Sequence, residues 1–262
     1  MKNKTIKILS LAIAALFVCN SNHIFAQETA TTTVCKPHDM TIGVHGGSNL
    51  SLLYAGNYEI NKNYNFGVGY NLGLNSSYAI NNFLSVVAEV NFAKMNSERK
   101  DMQPLMVNSP LQTTPYPLFA NYKKVEKFDY IEVPVMLRAT TGKKIKLYGN
   151  VGPYIGFATS ATMETSGRSM LYKDLGGQIQ EGSNNTIYSL DGNQNITKTI
   201  KTITFGLTGG AGLGYTYDKH TIMLDVRYDI GLTNIRENTA LNGKNNLQTI
   251  MAGLGYSYSL RK

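Results

Sequence analysis

The chain has 262 residues, a formal net charge of +8, 25 glycines, 17 tyrosines, two cysteines and no tryptophan. Glycine and tyrosine at this level, with no apolar pattern of helical period, exclude a helical bundle and point to an all-β chain rich in turns. The basic excess is modest and its Lys and Arg form no stripe, which leaves nucleic-acid binding unsupported.

Lys2, Lys4 and Lys7 precede an apolar run from Ile8 to Val18 and a short stretch ending at Ala26-Gln27. That order reads as a secretory signal peptide over 1–26, and the run is shorter than the about 20 residues a spanning helix needs. Cys19 follows Val18, which is not the small residue that precedes a lipidated cysteine. Cleavage after Ala26 leaves roughly 236 residues, with 22 basic residues against 17 acidic and a net +5. Cys35 is then the sole cysteine, so an internal disulfide is ruled out. Residues 27–39 read as a periplasmic segment and 40–262 as one domain.

From Thr41 onward eight alternating segments follow, near 40–54, 64–80, 83–95, 125–140, 144–158, 199–217, 220–232 and 248–261. Each is long enough for a tilted membrane strand of about 9–11 residues. In 64–74, Tyr64, Phe66, Val68, Tyr70, Leu72 and Leu74 alternate with Asn and Gly. In 221–232, Ile222, Leu224, Val226, Tyr228, Ile230 and Leu232 alternate with Met223, Asp225, Arg227, Asp229 and Gly231. Period-two alternation marks a strand with two unlike faces.

The connections alternate too. Short ones fall at Asn81-Asn82, 141–143 and Asp218-Lys219, and long ones at 55–63, 96–124, 159–198 and 233–247. Short turns on one side and long loops on the other mark an outer-membrane barrel. The fold expected is a closed antiparallel transmembrane β-barrel of eight strands, with apolar rows on lipid, turns in the periplasm and loops outside the cell. Four prolines, Pro104, Pro110, Pro115 and Pro117, argue against a central strand in 96–124. The stretch "IYSLDGNQNITKTI" reads as a hairpin above the membrane; if it joined the wall the count would be ten.

Four pieces, "IGVHGGSNLS" at 42–51, "YIEVPVMLR" at 130–138, "NVGPYIGF" at 150–157 and "LGYSYSL" at 254–260, resemble in order the PorT-like family of small outer-membrane barrels of Gram-negative bacteria. The resemblance implies an eight-stranded barrel, for the most part without assigned activity, with a minority of members serving as accessories of protein secretion.

With the apolar rows on lipid, the lumen receives His45, Glu89, Asn91, Tyr130, Glu132, Arg138, Lys146, Tyr148, Asn150, Tyr154, Asp225, Arg227 and Asp229. Carboxylates and cations in similar number are expected to pair as a structural network of Glu89, Glu132, Arg138, Asp225, Arg227 and Asp229, because an isolated charge there is expensive. An eight-stranded barrel is about wide enough for side chains to fill, which opposes a diffusive pore. A nucleophile needs a base within reach. The histidines left after cleavage, His38, His45 and His220, place none at the extracellular rim, so no catalytic site is expected. "GGAGLG" at 209–214 lacks the dinucleotide spacing and reads as strand glycines. No metal or cofactor site is expected. Binding is expected in the long loops, through Tyr116, Phe119, Tyr122, Arg168, Tyr172 and Tyr188, Tyr and Arg being common interface anchors. The partners expected are outer-membrane lipid and lipopolysaccharide, with a protein partner at loops or periplasmic turns left open.

Overall fold

A computed structural model describes residues 39–54, 64–105, 109–181, 185–237 and 245–260. The expected signal peptide, Cys35, His38 and the connection 55–63 lie outside these residues. The strands are β1 Met40–Tyr54, β2 Tyr64–Ala79, β3 Leu84–Pro104, β4 Phe119–Thr141, β5 Ile145–Ser166, β6 Arg168–Ser169, β7 Tyr188–Ser189, β8 Gly192–Asn195, β9 Ile203–Tyr217, β10 His220–Gly231 and β11 Asn246–Ser259.

Eight of them form an antiparallel ring in the order β1-β2-β3-β4-β5-β9-β10-β11 among the described residues. It closes where β11 pairs with β1, from Thr41 opposite Ser259 to Tyr54 opposite Asn246. The short turns lie where the sequence puts them. Asn81 accepts the Phe83 and Leu84 amides at 2.8 Å each. Asp218 takes a positive φ of 52° in the two-residue link to His220.

The outward rows are apolar and exposed, with Val68 at 68 %, Leu72 at 64 % and Ile145 at 69 %. Exposure on this scale over every wall strand is a surface made for hydrocarbon. On β3 the belt runs from Leu84 to Phe92, and the paired positions Phe92, Ile131, Phe157 and Ile203 form its upper edge. Exposed Tyr78, Phe83, Tyr215, Tyr217 and Tyr256 gird the lower edge, while Tyr70 packs on Phe92 near the upper one at 6.3 Å. Aromatic girdles flank the apolar band of outer-membrane barrels, and Tyr and Phe supply them in a chain without Trp.

Inward glycines on β9 give the lumen its room. A Cβ on Gly212 would lie 2.3 Å from the Tyr148 hydroxyl and 2.5 Å from the Leu224 carbonyl, and one on Gly206 2.3 Å from the Tyr154 ring. The Gly-rich run 209–214 is thus strand backbone, with Gly212 facing Tyr148 and Gly210 facing Arg227.

Three expectations are corrected. β3 and β4 run on unbroken in register from Leu84 opposite Ala139 to Pro104 opposite Phe119, so the loop expected at 96–124 is mostly strand and only 105–118 connects. Above the membrane the outer face is polar, and the inner face mixes buried apolar residues such as Met95 and Phe128 with buried polar ones such as Arg99, Gln103 and Glu126, so the alternation fades there while the pairing persists. Pro104 is tolerated as the last residue of its strand. The expected hairpin at 187–200 divides: β7 pairs with β6, while β8 pairs with β5 over 162–165, above the stretch of β5 that pairs with β9. The wall stays at eight strands. Finally, a register shift between Phe66 and Tyr70 turns Tyr64 out of the lipid row, and its ring lies inside against Lys124, 5.3 Å from the ammonium.

Replacing Gly212 with Leu should lower the melting temperature of the folded barrel, with a loss of about 1–3 kcal/mol from overpacking. Gly149→Ala, whose new Cβ would meet nothing closer than 3.7 Å, should be nearly neutral. Loss of heat-modifiable gel migration gives the second readout.

Candidate functional site

The inner rows of β1, β3, β4, β5 and β10 bring the expected lumen residues onto one interior surface. Arg227 on β10 reaches across the ring to Glu89 on β3, its two terminal nitrogens donating to the two carboxylate oxygens at 2.5 and 2.8 Å. It also donates to Asp225 at 3.0 Å. Asn91 donates to Glu89 at 3.2 Å, and His45 Nε2 stands 3.7 Å from the same carboxylate. The planar fork of Arg suits this bidentate contact, which a Lys could not copy.

Arg138 takes another course. Its guanidinium lies over the Tyr148 ring at 4.5 Å and contacts the Met223 sulfur at 4.0 Å. Glu132 and Asp229 are buried, 4 % and 6 % exposed, at the level of Tyr130 and Tyr154. Of the six residues expected to form one network, hydrogen bonds join Glu89, Arg227 and Asp225, Arg138 stacks on Tyr148, and Glu132 and Asp229 lie close enough to act on one another. A small cavity of about 30 Å³ lies between His45, Asn75, Arg138, Asp225 and Arg227, room for about two waters.

Above the polar lumen an apolar plug fills the barrel. Leu53, Met95, Phe128, Tyr130, Leu247 and Met251 from the wall meet Ile196, Ile200 and Ile235 from the loops in one buried cluster. The loop residues reach it because a single 3-10 turn, Thr197–Thr199, docks on β5, where the Ala161 amide donates to the Thr197 hydroxyl at 2.9 Å. Burying each large apolar side chain contributes about 1.5–3 kcal/mol.

Over the plug lies a second polar cluster that the sequence reading missed. Glu126 pairs with Arg236 of the 232–245 connection and with Lys124 at 3.3 Å, and Tyr64 donates to it at 3.5 Å. Arg99 pairs with Asp101 at 2.6 Å. These residues sit on the strand extensions and beyond the bulge, where charge falls on both faces and gives no periodic signal.

The extracellular crown has its own core of Leu105, Leu118, Ala120, Tyr122, Leu171 and Leu190, with Tyr188 packed on it. Tyr122, expected as an exposed anchor, is 5 % exposed and donates to the Pro104 carbonyl at 2.7 Å; even parity along β4 turns it inward. Phe119 opens β4, and its backbone exchanges two 2.8 Å hydrogen bonds with Tyr172, which is partly buried. Tyr116 and Arg168 are exposed, and Tyr116 donates to Glu181 at 3.1 Å. Asp174 accepts the Ile179 and Gln178 amides at 2.6 and 3.1 Å, bonds that hold its carboxyl below the usual carboxylate range. Of the two described histidines, His45 bonds Asn75 at 3.2 Å, and His220 bonds the Tyr256 hydroxyl at 2.6 Å by the periplasmic turn.

A family model for an outer membrane protein beta-barrel domain matches residues 25–237. No curated protein matches the chain. Among solved structures, Ail of Yersinia pestis in complex with the heparin analogue sucrose octasulfate is 17 % identical, with 84 % of this chain and 99 % of that one covered and a TM-score of 0.38. Neisserial surface protein A is 10 % identical, with 84 % and 96 % covered and a TM-score of 0.41. OprG of Pseudomonas aeruginosa is 12 % identical, with 85 % and 98 % covered and a TM-score of 0.37.

Arg227→Ala leaves Glu89 and Asp225 without their cation and should cost on the order of 3–5 kcal/mol, less where lumen water reaches them. The double variant Arg227→Met with Glu89→Gln should cost distinctly less than the sum of its single changes, read from thermal unfolding in detergent. Additive losses would mean that the two side chains do not depend on one another.

Proposed function

Because the chain belongs to the outer membrane protein beta-barrel domain family and resides in the outer membrane, we propose that it is a non-enzymatic scaffold that holds a folded crown at the cell surface for recognition, rather than a conduit. One observation carries this reading: the β5–β9 connection that sends Ile196 and Ile200 into the plug also sends Leu171 and Leu190 into a separate crown core. A barrel whose loops are used to seal it and to stiffen one another spends its longest connections on surface shape. Loops held on a rigid scaffold are where binding concentrates. The six residues Glu89, Glu132, Arg138, Asp225, Arg227 and Asp229 then serve the interior, and Tyr116, Arg168 and Tyr172 are the crown side chains we assign to contact.

Two finer assignments belong to the same proposal. The motifs at 42–51, 130–138, 150–157 and 254–260 support a PorT-like barrel of a Gram-negative bacterium, exported by a signal peptide over 1–26. Lipopolysaccharide and outer-membrane lipid are the surroundings proposed for the belt.

Two measurements test the proposal. In planar bilayers the pure protein should give no large stable conductance steps; such steps would refute the closed scaffold. Replacing 105–118 and 170–187 with short Gly-Ser turns should leave a heat-modifiable barrel that loses its cell-surface contacts in crosslinking on intact cells. Contacts unchanged by the replacement would move the function to the periplasmic turns.

A further inference from the structure

The strand extensions keep the parity of the membrane wall. On β3 and β4 the pairing is unbroken from the belt upward, so the face that meets lipid at Phe92 and Ile131 is the face that carries Lys94, Glu98 and Lys100, and Lys123, Lys127 and Asp129, higher up. Most of these charges are matched. Lys94 stands 3.6 Å from Asp129, Lys123 2.9 Å from Glu98 and Lys127 2.5 Å from Glu164.

Lys100 is the exception. It is exposed, sits directly opposite Lys123 and has no ion-pair partner among the described residues. Like charges directly opposed across a ladder are destabilising; Glu98 offsets Lys123 at 2.9 Å, and Lys100 is left as the unmatched charge of the pair among the described residues. The two lysines line a groove of about 650 Å³ together with Asn121 beside Lys123 on β4, and with Ser166, Arg168 and Tyr172. The carboxylates at its rim are engaged: Glu98 on Lys123, and Asp191 by the Ser189 hydroxyl at 2.8 Å and the Gly167 amide at 3.1 Å, with Arg168 close enough to act on it. No carboxylate lines the groove among the described residues. Its volume falls in the range of small-ligand sites, and its surface combines three cations, hydroxyl and amide groups, the rings of Tyr122 and Tyr172, and apolar Met102, Met170 and Ile187.

Position selects the occupant. At about 3.3 Å per residue and a tilt of about 40°, the path from Phe92 to Lys100 lifts the groove about 20 Å above the top of the apolar belt, on the side turned away from the barrel axis. In the outer leaflet that place is taken by the sugars and phosphates of lipopolysaccharide. We propose that the groove between Lys100, Lys123 and Arg168 is a binding site for the phosphorylated core saccharide of lipopolysaccharide, with the phosphate between the two lysines and a sugar ring against Tyr172. The inference rests on the surface-recognition reading and names its ligand class.

The test uses the full folded barrel in detergent and three probes: a delipidated phosphorylated core oligosaccharide, the same oligosaccharide after dephosphorylation, and inorganic phosphate. The phosphorylated sugar should bind at least tenfold more tightly than either of the others, and its affinity should fall as salt is raised. Lys100→Glu and Lys123→Glu should each weaken it tenfold or more while migration stays heat-modifiable, and Lys100→Arg should retain it. Equal binding of the dephosphorylated sugar, equal binding of free phosphate, or binding unchanged in a folded Lys100→Glu and Lys123→Glu double variant would each overturn the assignment. These results are separate from the surface-recognition reading. A conducting barrel, or cell-surface contacts that survive loop replacement, would fail that reading; loss of the saccharide site with a closed barrel and loop-dependent contacts would fail this inference alone.

Discussion

Hydrocarbon offers no hydrogen bonds, so every amide and carbonyl of a spanning strand must find its partner inside the protein. The pairing of β11 with β1 is where that demand is met last, and the rest of the molecule follows from it. A closed ring has no edge, so each strand must hold register with both neighbours over the full depth of the belt. Closure with eight strands also fixes the bore at about the width of the side chains it encloses. The lumen is thus a packing problem with a boundary that cannot expand.

The inner rows solve that problem by pairing large residues with absent ones. Tyr148 and Tyr154 of β5 face Gly212 and Gly206 of β9, where any Cβ would fall inside van der Waals contact. Charge is handled in the same confined way. Removing one member of a buried pair is far more costly than replacing both, and Arg227 satisfies two carboxylates at once. A lumen built like this has little freedom to rearrange, which suits a rigid support.

Above the belt the constraint relaxes, because water can satisfy backbone groups that leave the ladder. β3, β4 and β5 nevertheless continue upward, paired to one another and stiffened by the crown core and by the ion pair between Glu126 and Arg236. The β5–β9 connection is therefore anchored at two levels, in the plug below through Ile196 and Ile200 and in the crown above through Leu171 and Leu190. On the outer face of these extensions polar groups replace the apolar row, and that face carries cross-strand ion pairs.

How much of this was legible follows from which forces act locally. The lipid rows of β9, β10 and β11 could be read from period two alone, since a strand in hydrocarbon must be apolar on one face at every second residue. The turn positions, the strand count and the inward direction of Glu89, Arg227, Asp229 and Tyr154 came with that parity. The bulge between Phe66 and Tyr70 is different: it depends on how β2 meets β3, and it reverses Tyr64 with no change in the local pattern. The strand extensions were illegible because their outer face is polar and their inner face mixes apolar Met95, Phe128 and Ala120 with charged Arg99 and Glu126, which leaves no clean alternation. Partners across the lumen were beyond the sequence for a stronger reason. Arg227 meets Glu89 and not Glu132 because the stagger of the closed ring sets which rows share a level. Parity along a strand is a property of consecutive residues, and the sequence determined it; level across a barrel exists only once all eight strands have closed, and the tertiary structure alone decided it.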